Sequence, residues 1–373
     1  MTAIRHLRLV SALLLASCAQ ASPLEPGIRA VEEIRGRSFT AEVRNVTIDR
    51  SELSGHLRTQ MERSTPYSFE EWSAILRALQ LVDGKTKEDL LPSLLSLYES
   101  QVLAFYDPHS HTYYSIRQLP ELPEEAKLAD PKMLEETVMV HELTHALQDQ
   151  LFQLSRREQA LRLDTDANMA YHALLEGEAV LVMMAHMLRK SGVDLDEVVN
   201  DDSLLGLIGS AVRAEGMIDP ATPRYFAEML KFPYLHGLQF AIAAYRRGGW
   251  KELDLVHANP PRSTREILHP EEYFAGRRAK PAFDPKAPEG AIAAEHLGEF
   301  HWRFLVGDAN AAGWVNDRVV VYRDGRVDVD TNWESEERAV AFADAYRAFL
   351  KGRGLDARIE QKGTAVRAAY TTR

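Results

Sequence analysis

The sequence HELTHALQDQ, residues 141–150, constrains this chain more than any other stretch. Residues four apart on an α-helix project from the same face, so His141 and His145 can bind one metal ion together. Glu142 would lie beside them, where it can act on a water molecule bound to that metal. The pattern therefore predicts a helix that carries a catalytic zinc centre.

The residues around this motif favour a helix. Asp130 and Pro131 are the residue types preferred at the N-cap and at the first helical position. Apolar residues then recur with helical spacing as far as Leu151. We therefore expect both histidines on one helix that ends near Gln153.

A catalytic zinc site takes three protein ligands and leaves one position for water, so another segment must supply the third ligand. A second helix is predicted over residues 166–190, with Gly192 just past its end, and a short connection would make the two helices antiparallel neighbours. It carries Glu176 and Glu178, which differ by a rotation of about 200°, so only one can face the metal. The spacing alone does not decide which. Gly177, which has no Cβ, is expected to let the second helix approach the first closely.

The HELTHA core followed by a Glu-Gly-x-Ala segment at Glu176 resembles the gluzincin metallopeptidases, the clan of thermolysin and the zinc aminopeptidases. Further segments resemble prokaryotic members of that clan that are often secreted or lipid-anchored, namely residues 101–108, 232–240, 248–250, 260–273 and 313–318. The sequence departs from their pattern at Glu178, where a smaller acidic residue is usual, and at residues 315–316, where a glycine is usual.

The resemblance implies Glu176 as the third ligand and one zinc ion per chain. It also implies peptide-bond hydrolysis in which Glu142 activates a zinc-bound water as the general base. Glu178 is then expected to form a structural salt bridge.

Zinc peptidases usually add a His or Tyr side chain that donates a hydrogen bond to the developing oxyanion. We expect this donor in the downstream segments, ranked His269, Tyr273, Tyr234 and His236. Each of them could equally be a buried side chain whose polar tip is hydrogen-bonded. Asp149, one helical turn after the second histidine, is predicted either to orient a ligand imidazole or to lie on a solvated helix face.

Residues 101–115 have the alternation of a β-hairpin, with turn residues at 107–110. In gluzincins an edge strand beside the zinc helix receives an extended substrate, and an ordinary buried hairpin is the alternative. His109 and His111 fall in the turn and are predicted to be solvated. The expected fold class is α+β and mainly helical, with a gluzincin-like zinc-helix core, a small β-hairpin or sheet, and a small C-terminal α+β module.

The predicted organisation has four parts, listed in chain order as a signal peptide (1–17), a mainly helical lobe (22–100), a zinc metallopeptidase core (101–280) and the C-terminal module (281–373). Within the core we expect a helix at 202–214 and a helix break at Pro233. A proline-rich linker at 281–288 precedes the module. The module should contain a helix, a strand pair near residues 318–322 and 326–329, and a final helix with Ser335 as its N-cap.

The N-terminus resembles an export signal, with basic residues before a short apolar run. Leu-Ala-Ser-Cys at its end looks like a bacterial lipobox, which predicts that Cys18, the only cysteine, is lipidated. Cleavage after Ala21 is the alternative and would give a secreted protein. Loss of residues 1–17, which hold Arg5 and Arg8 and no acidic residue, changes the net charge from −11 to −13. Such an acidic chain argues against nucleic acid as a partner.

Together these features predict an exported lipoprotein of the cell envelope, on the periplasmic face of a membrane, that hydrolyses peptide or protein substrates. Its only membrane contact would be the lipid anchor. The alternative is a zinc-containing envelope lipoprotein that acts as a binding or assembly factor without turnover.

Overall fold

The structure is a computed structural model that describes residues 22–83, 90–118, 130–201, 222–277, 284 and 286–372. The predicted signal peptide with Cys18, the predicted helix at 202–214 and half of the linker at 281–288 lie outside these residues. Helices account for 59% of the residues and strands for 16%, and the strands form two small sheets. This composition confirms the mainly helical α+β class.

Chain order gives the helices α1 Glu25–Arg35, α2 Arg50–Ser64, α3 Phe69–Ala78, α4 Leu90–Gln101, α5 Pro131–Phe152, α6 Leu154–Leu161, α7 Thr165–Lys190, α8 Leu195–Val198, α9 Arg224–Phe232, α10 Leu238–Gly248, α11 Trp250–Ala258, α12 Thr264–Leu268, α13 Pro270–Phe274, α14 Gly298–Val306, α15 Asp308–Ala311 and α16 Glu336–Gly352. The strands are β1 Arg44–Ile48, β2 Ala104–Asp107, β3 Thr112–Ile116, β4 Ala291–Glu295, β5 Trp314–Tyr322, β6 Arg326–Trp333, β7 Ala357–Lys362 and β8 Ala365–Thr371. No helix among the described residues is long and apolar enough to cross a membrane.

The two central helices begin and end where the local sequence predicts. Asp130 caps α5, since its carboxylate accepts from the Lys132 amide at 3.0 Å. The helix ends at Gln153, which has a left-handed backbone with φ of 56°. Asp164 caps α7 in the same way and accepts from the Ala167 amide at 2.9 Å. Because most of α7 is buried, this helix forms the centre of the core, with α5 packed along it.

A close contact between two glycines sets the path of the chain after α9. A Cβ on Gly177 would lie 2.1 Å from the backbone of Gly237, and a Cβ on Gly237 would lie 2.0 Å from the Ala173 oxygen. Gly177 therefore brings α7 against the segment Pro233–Gly237, not against α5 as the sequence suggested. That segment is a π-helical turn that continues α9 into α10, so the predicted break at Pro233 is wrong. Pro233 has no N–H for the helical hydrogen-bond ladder, and the helix is locally π-helical from this residue.

The first sheet has the order β1-β3-β2, with β1 and β3 parallel and β2 and β3 antiparallel. The predicted hairpin is confirmed, with Asp107 accepting from the His109 amide and the Ser110 hydroxyl to close the turn. Strand β2 is the edge of this sheet, and it lies against α5.

The second sheet is antiparallel with the order β4-β5-β6-β8-β7, and α14 and α16 pack against it. Asp317 ties β5 to α14 by accepting from the indole N–H groups of Trp302 and Trp314 at 2.8 and 2.9 Å. Asp166 at the start of α7 accepts from the Thr264 amide and hydroxyl, and its own amide donates to the His296 carbonyl. These buried hydrogen bonds join the C-terminal sheet to the helix that carries Glu176.

Candidate metal centre

Three of the side chains predicted from the sequence meet at one point between α5 and α7. Nε2 of His141 lies 3.2 Å from Nε2 of His145 and 3.2 Å from Oε2 of Glu176. Nε2 of His145 lies 3.5 Å from the same carboxylate oxygen. The three side chains are 12 to 15% exposed, so they lie at the bottom of a cleft that water can reach.

The spacing of these atoms fits a metal ion of the size and geometry of zinc. Zinc binds His nitrogen and carboxylate oxygen at about 2.0–2.2 Å in a tetrahedron, whose edges are then roughly 3.3 Å long. The three separations, 3.2, 3.2 and 3.5 Å, match such an edge. Two histidines and one glutamate also leave the fourth position of a tetrahedron without a protein ligand. These residues could therefore hold a zinc ion in a site open to water.

Glu142 lies beside this triad and is held by the edge strand. Its Oε2 accepts a hydrogen bond from the Tyr106 amide of β2 at 2.9 Å. Burial raises the pKa of Glu142, and the nearby Glu176 adds to the increase, while His141, His145 and the Tyr106 amide oppose it. A carboxylate whose pKa is moved towards neutrality suits a general base.

Tyr234 reaches the triad from the π turn. Its ring lies 6.3 Å from the ring of His141, and its hydroxyl lies close enough to Glu176 to interact with the carboxylate electrostatically. Burial, followed by the negative charges of Glu176 and Glu142, raises the pKa of Tyr234 well above its ordinary value. Tyr234 therefore stays protonated and offers an O–H donor beside His141, His145 and Glu176. Packing of Gly237 against α7 fixes this position, which the sequence could not show.

Gln148, not Asp149, orients a histidine of the triad. Nδ1 of His145 lies 2.9 Å from Oε1 of Gln148, and an amide oxygen only accepts, so Nδ1 carries the proton and Nε2 faces the triad. The Gln148 amide group donates to the Leu175 carbonyl and to Glu178 Oε2, which fixes its orientation. Asp149 instead accepts from the Tyr106 hydroxyl at 2.8 Å and pairs with His111 at 2.8 Å. It lies near the end of α5, under the hairpin, and contacts neither His141 nor His145.

Glu178 belongs to a separate buried cluster. Its Oε1 lies 2.6 Å from Nε of Arg35, and its Oε2 is hydrogen-bonded by His257 and by Gln148. Arg35 also pairs with Asp254 at 2.8 Å. The glutamate that faces the histidines is therefore Glu176, and Glu178 forms the salt bridge expected of the other one. Through Gln148 this cluster connects α1 and α11 to the imidazole of His145.

His269, which the sequence ranked first as the oxyanion donor, does not lie at the triad. Its Nε2 is 3.0 Å from Glu299 and 3.2 Å from Arg303 of α14, and it does not line the cleft. Tyr273 donates to the Asn259 carbonyl at 2.7 Å, so it is also occupied in packing. His269 lies against α14 of the C-terminal module and Tyr273 against Phe240 of α10, and only tertiary packing decides this. Of the four ranked donors, Tyr234 is the one that the structure brings to the triad.

The cleft above the triad has a volume of about 320 Å³. It is lined by residues of β2, α5, α6 and α7, including His109, Glu158, Asn168 and His172, of which the sequence singled out only His109 as a residue of the turn. A larger cavity of about 1370 Å³ lies between α3 and the C-terminal sheet, and no histidine or glutamate lines it. The predicted chemistry is therefore confined to the smaller cleft.

Comparison with known proteins informs only the C-terminal part of the chain. Residues 283–372 match the family model of a domain of unknown function, DUF8575. This match covers β4 to β8 with their helices and none of the triad residues. No curated protein matches the chain significantly.

Proposed function

We propose that this protein is a zinc-dependent peptidase of the gluzincin type. The observation that carries the proposal is the convergence of His141, His145 and Glu176 with a partly buried carboxylate, Glu142, that is not needed as a ligand. A bound zinc ion supplies a Lewis acid that polarises a carbonyl oxygen and makes water more acidic. A structural zinc site would need a fourth protein ligand, and no other His, Cys, Asp or Glu of the described residues joins this group.

Glu142 is proposed to transfer the proton, and Tyr234 to donate a hydrogen bond. Glu142 accepts the proton of the attacking water and passes it to the leaving amine, and its raised pKa suits both transfers. Tyr234 remains protonated, so it donates a hydrogen bond to the oxygen on which negative charge develops. The Tyr106 amide holds Glu142 in place during these transfers.

The edge strand β2 is the proposed binding site for the peptide backbone. Polar backbone groups alternate sides along a strand, and the Tyr106 amide faces α5, so the backbone groups of Ala104 face the same side, where both residues also line the cleft. An extended peptide can add to such an edge through main-chain hydrogen bonds. The scissile bond would then lie across the cleft beside Glu142.

We further propose that the protein is exported and held at the envelope by a lipid on Cys18, with peptide or protein as its substrate. The lipobox residues support this, and the charge of −11 supports the exclusion of nucleic acid.

The variant Glu142→Gln tests the catalytic proposal, because it preserves size and removes the base. It should keep one zinc per chain and lose about a hundred- to ten-thousand-fold in peptide turnover. Glu135→Gln, an exposed position on the same helix, is the matched control and should keep both properties.

Full turnover by zinc-loaded Glu142→Gln would exclude Glu142 as the base. A wild-type protein that binds zinc, unfolds when zinc is chelated and cleaves no peptide library would instead be the binding or assembly factor.

A further inference from the structure

Tyr106 of the edge strand β2 contacts α5 at two separate points. Its amide donates a hydrogen bond to Oε2 of Glu142 at 2.9 Å, and its hydroxyl donates to Oδ2 of Asp149 at 2.8 Å. Tyr106 and Asp149 are both buried, so the second hydrogen bond is shielded from water. One residue of the strand is therefore tied to the helix by its backbone and by the tip of its side chain.

The two acceptors lie on one strip of α5. Glu142 and Asp149 are seven residues apart, almost two helical turns, so they project within about 20° of each other and lie roughly 10 Å apart along the helix axis. Tyr106 spans this interval. His141 and His145 project from an adjoining strip, rotated by about 40–100° from the first. One strip of α5 thus faces the metal position, and the next strip holds β2.

Asp149 is itself held by other elements of the cleft. Its Oδ1 accepts from the Leu154 amide at the start of α6 at 3.0 Å. Its Oδ2 lies 2.8 Å from Nδ1 of His111, a residue of the hairpin turn whose backbone is left-handed, with φ of 51°. A carboxylate that is bound by the strand, the turn and the following helix has little freedom to rotate. Asp149 is therefore a fixed anchor for the Tyr106 hydroxyl.

Glu142 needs a support of this kind to act as a base. A glutamate side chain has several rotatable bonds, and ordering it costs conformational entropy. The Tyr106 amide orders it, but β2 lies at the edge of its sheet and pairs with β3 on one side, so the sheet does not set the distance from β2 to α5. The hydroxyl of Tyr106 sets this distance through Asp149. A displacement of about 1 Å in a reacting group can cost roughly a hundredfold in rate.

We propose that Tyr106 is a strut, anchored by Asp149, that positions the general base Glu142. The inference rests on the proposed peptidase function and adds two positioning residues to it, whose side chains neither bind the metal nor transfer the proton. The competing interpretation is that Asp149 serves only the hairpin turn and the start of α6, in which case the Tyr106 hydroxyl is dispensable.

Tyr106→Phe tests the strut, because it removes the hydroxyl and keeps the ring and the amide. In the full chain as purified, NMR hydrogen exchange should show that the amide of residue 106 exchanges about 10- to 100-fold faster, the factor that loss of one hydrogen bond to a charged acceptor allows. Amides of β6 in the other sheet, such as that of Val329, should be unchanged and report on any general loss of stability. Unchanged exchange at residue 106 would overturn the proposal.

Tyr114→Phe is the matched control. Tyr114 lies on β3 of the same sheet, and its ring stacks on Phe105 at 4.7 Å between centroids. Loss of this hydroxyl should leave the amide of residue 106 unaffected. Equal acceleration in both variants would show that the sheet responds to any lost tyrosine hydroxyl, which would also contradict a specific strut.

A double-variant cycle tests whether Asp149 is the anchor. Asp149→Ala should accelerate exchange at residue 106, and addition of Tyr106→Phe should have little further effect, because both changes remove the same hydrogen bond. Independent, multiplying effects would contradict the proposed contact. If Asp149→Ala does not fold, Tyr106→Phe decides the question by itself.

Turnover separates this inference from the proposed function. Zinc-loaded Tyr106→Phe should keep one zinc per chain and lose about 10- to 100-fold in kcat with KM nearly unchanged, because the base acts in the chemical step. An unchanged kcat, or a rise in KM alone, would contradict the positioning role. If the wild-type protein cleaves no peptide, the peptidase proposal fails, while exchange at residue 106 still decides whether Asp149 holds Tyr106 against Glu142.

Discussion

Replacement of Arg35 by Met should destabilise the protein strongly. The Arg35 side chain is 1% exposed and Glu178 is 0% exposed, with 2.6 Å between Nε and Oε1. Removal of one partner of a buried ion pair costs about 3–5 kcal/mol, because the other charge is left uncompensated. His257 and Gln148 still contact Glu178, so we expect the lower part of this range, about 3–4 kcal/mol.

Arg37 provides a matched control, because it shares the partner Asp254 with Arg35. It pairs with Asp254 at 3.1 Å, as Arg35 does at 2.8 Å, but its side chain is 45% exposed. Arg37→Met should therefore cost less than about 1 kcal/mol. Urea denaturation of the metal-free proteins, followed by circular dichroism, measures both values. Equal losses for the two variants would refute the reasoning.

The effect should depend on the charge of Glu178. Addition of Glu178→Gln to Arg35→Met removes the uncompensated charge and should restore a large part of the lost stability. Burial alone would raise the pKa of Glu178, but Arg35 and His257 outweigh it and hold this pKa well below its usual range. A carboxylate whose pKa is depressed by folding stabilises the fold at any pH above its pKa in the unfolded chain, about 4.3. This contribution to stability is lost as the pH falls below that value. The difference between wild type and Arg35→Met should accordingly shrink in acid.

The same substitution should also affect the metal centre. Glu178 anchors the Gln148 amide, and Gln148 holds Nδ1 of His145. Loss of a hydrogen bond that orients a metal-binding imidazole typically lowers the affinity for the metal about 10- to 100-fold. Competition with a chromogenic chelator measures this, and Arg37→Met should bind zinc as the wild type does. Unchanged affinity in Arg35→Met would show that the cluster is structural only.

Three further predictions concern the metal centre, the donor and the anchor. Burial lowers the pKa of His145, but the charge of Glu176 outweighs burial and raises this pKa to about 9. Zinc must therefore displace a proton from His145, and it should bind more tightly as the pH rises towards about 9. Calorimetry in buffers of different ionisation enthalpy measures the proton released, and a pH-independent affinity would contradict this. Tyr234→Phe should keep zinc and lower kcat about 10²- to 10³-fold, because Tyr234 lies at the triad. His269→Phe should leave kcat unchanged, because His269 pairs with Glu299 instead. A larger loss of kcat in His269→Phe than in Tyr234→Phe, measured by steady-state kinetics, would restore His269 as the donor. Cys18→Ser should abolish lipid labelling and release the protein from the membrane fraction, and a mature N-terminus found at Ser22 would favour ordinary secretion.

Local sequence was sufficient for the elements that depend on neighbouring residues. The spacing of His141 and His145 and the cap at Asp130 predicted α5 because helical geometry and capping act within a few residues. The hairpin at β2 and β3 followed in the same way from its turn residues. The strands β7 and β8 were missed, since short strands of mixed polarity carry a weak local signal and owe their form to pairing, of β8 with β6 and of β7 with β8.

Only the tertiary structure decided which side chains complete the site. Helical spacing alone left Glu176 and Glu178 as alternatives, and only the resemblance to gluzincins favoured Glu176, because the rotation of α7 depends on what packs around it. Gly177 against Gly237 and Glu178 against Arg35 fix that rotation and turn Glu176 to the histidines. The π turn that brings Tyr234 to the triad is likewise a product of this packing. Periodicity within one helix thus placed His141, Glu142 and His145, whereas contacts between residues far apart in the chain brought Glu176 and Tyr234 to them.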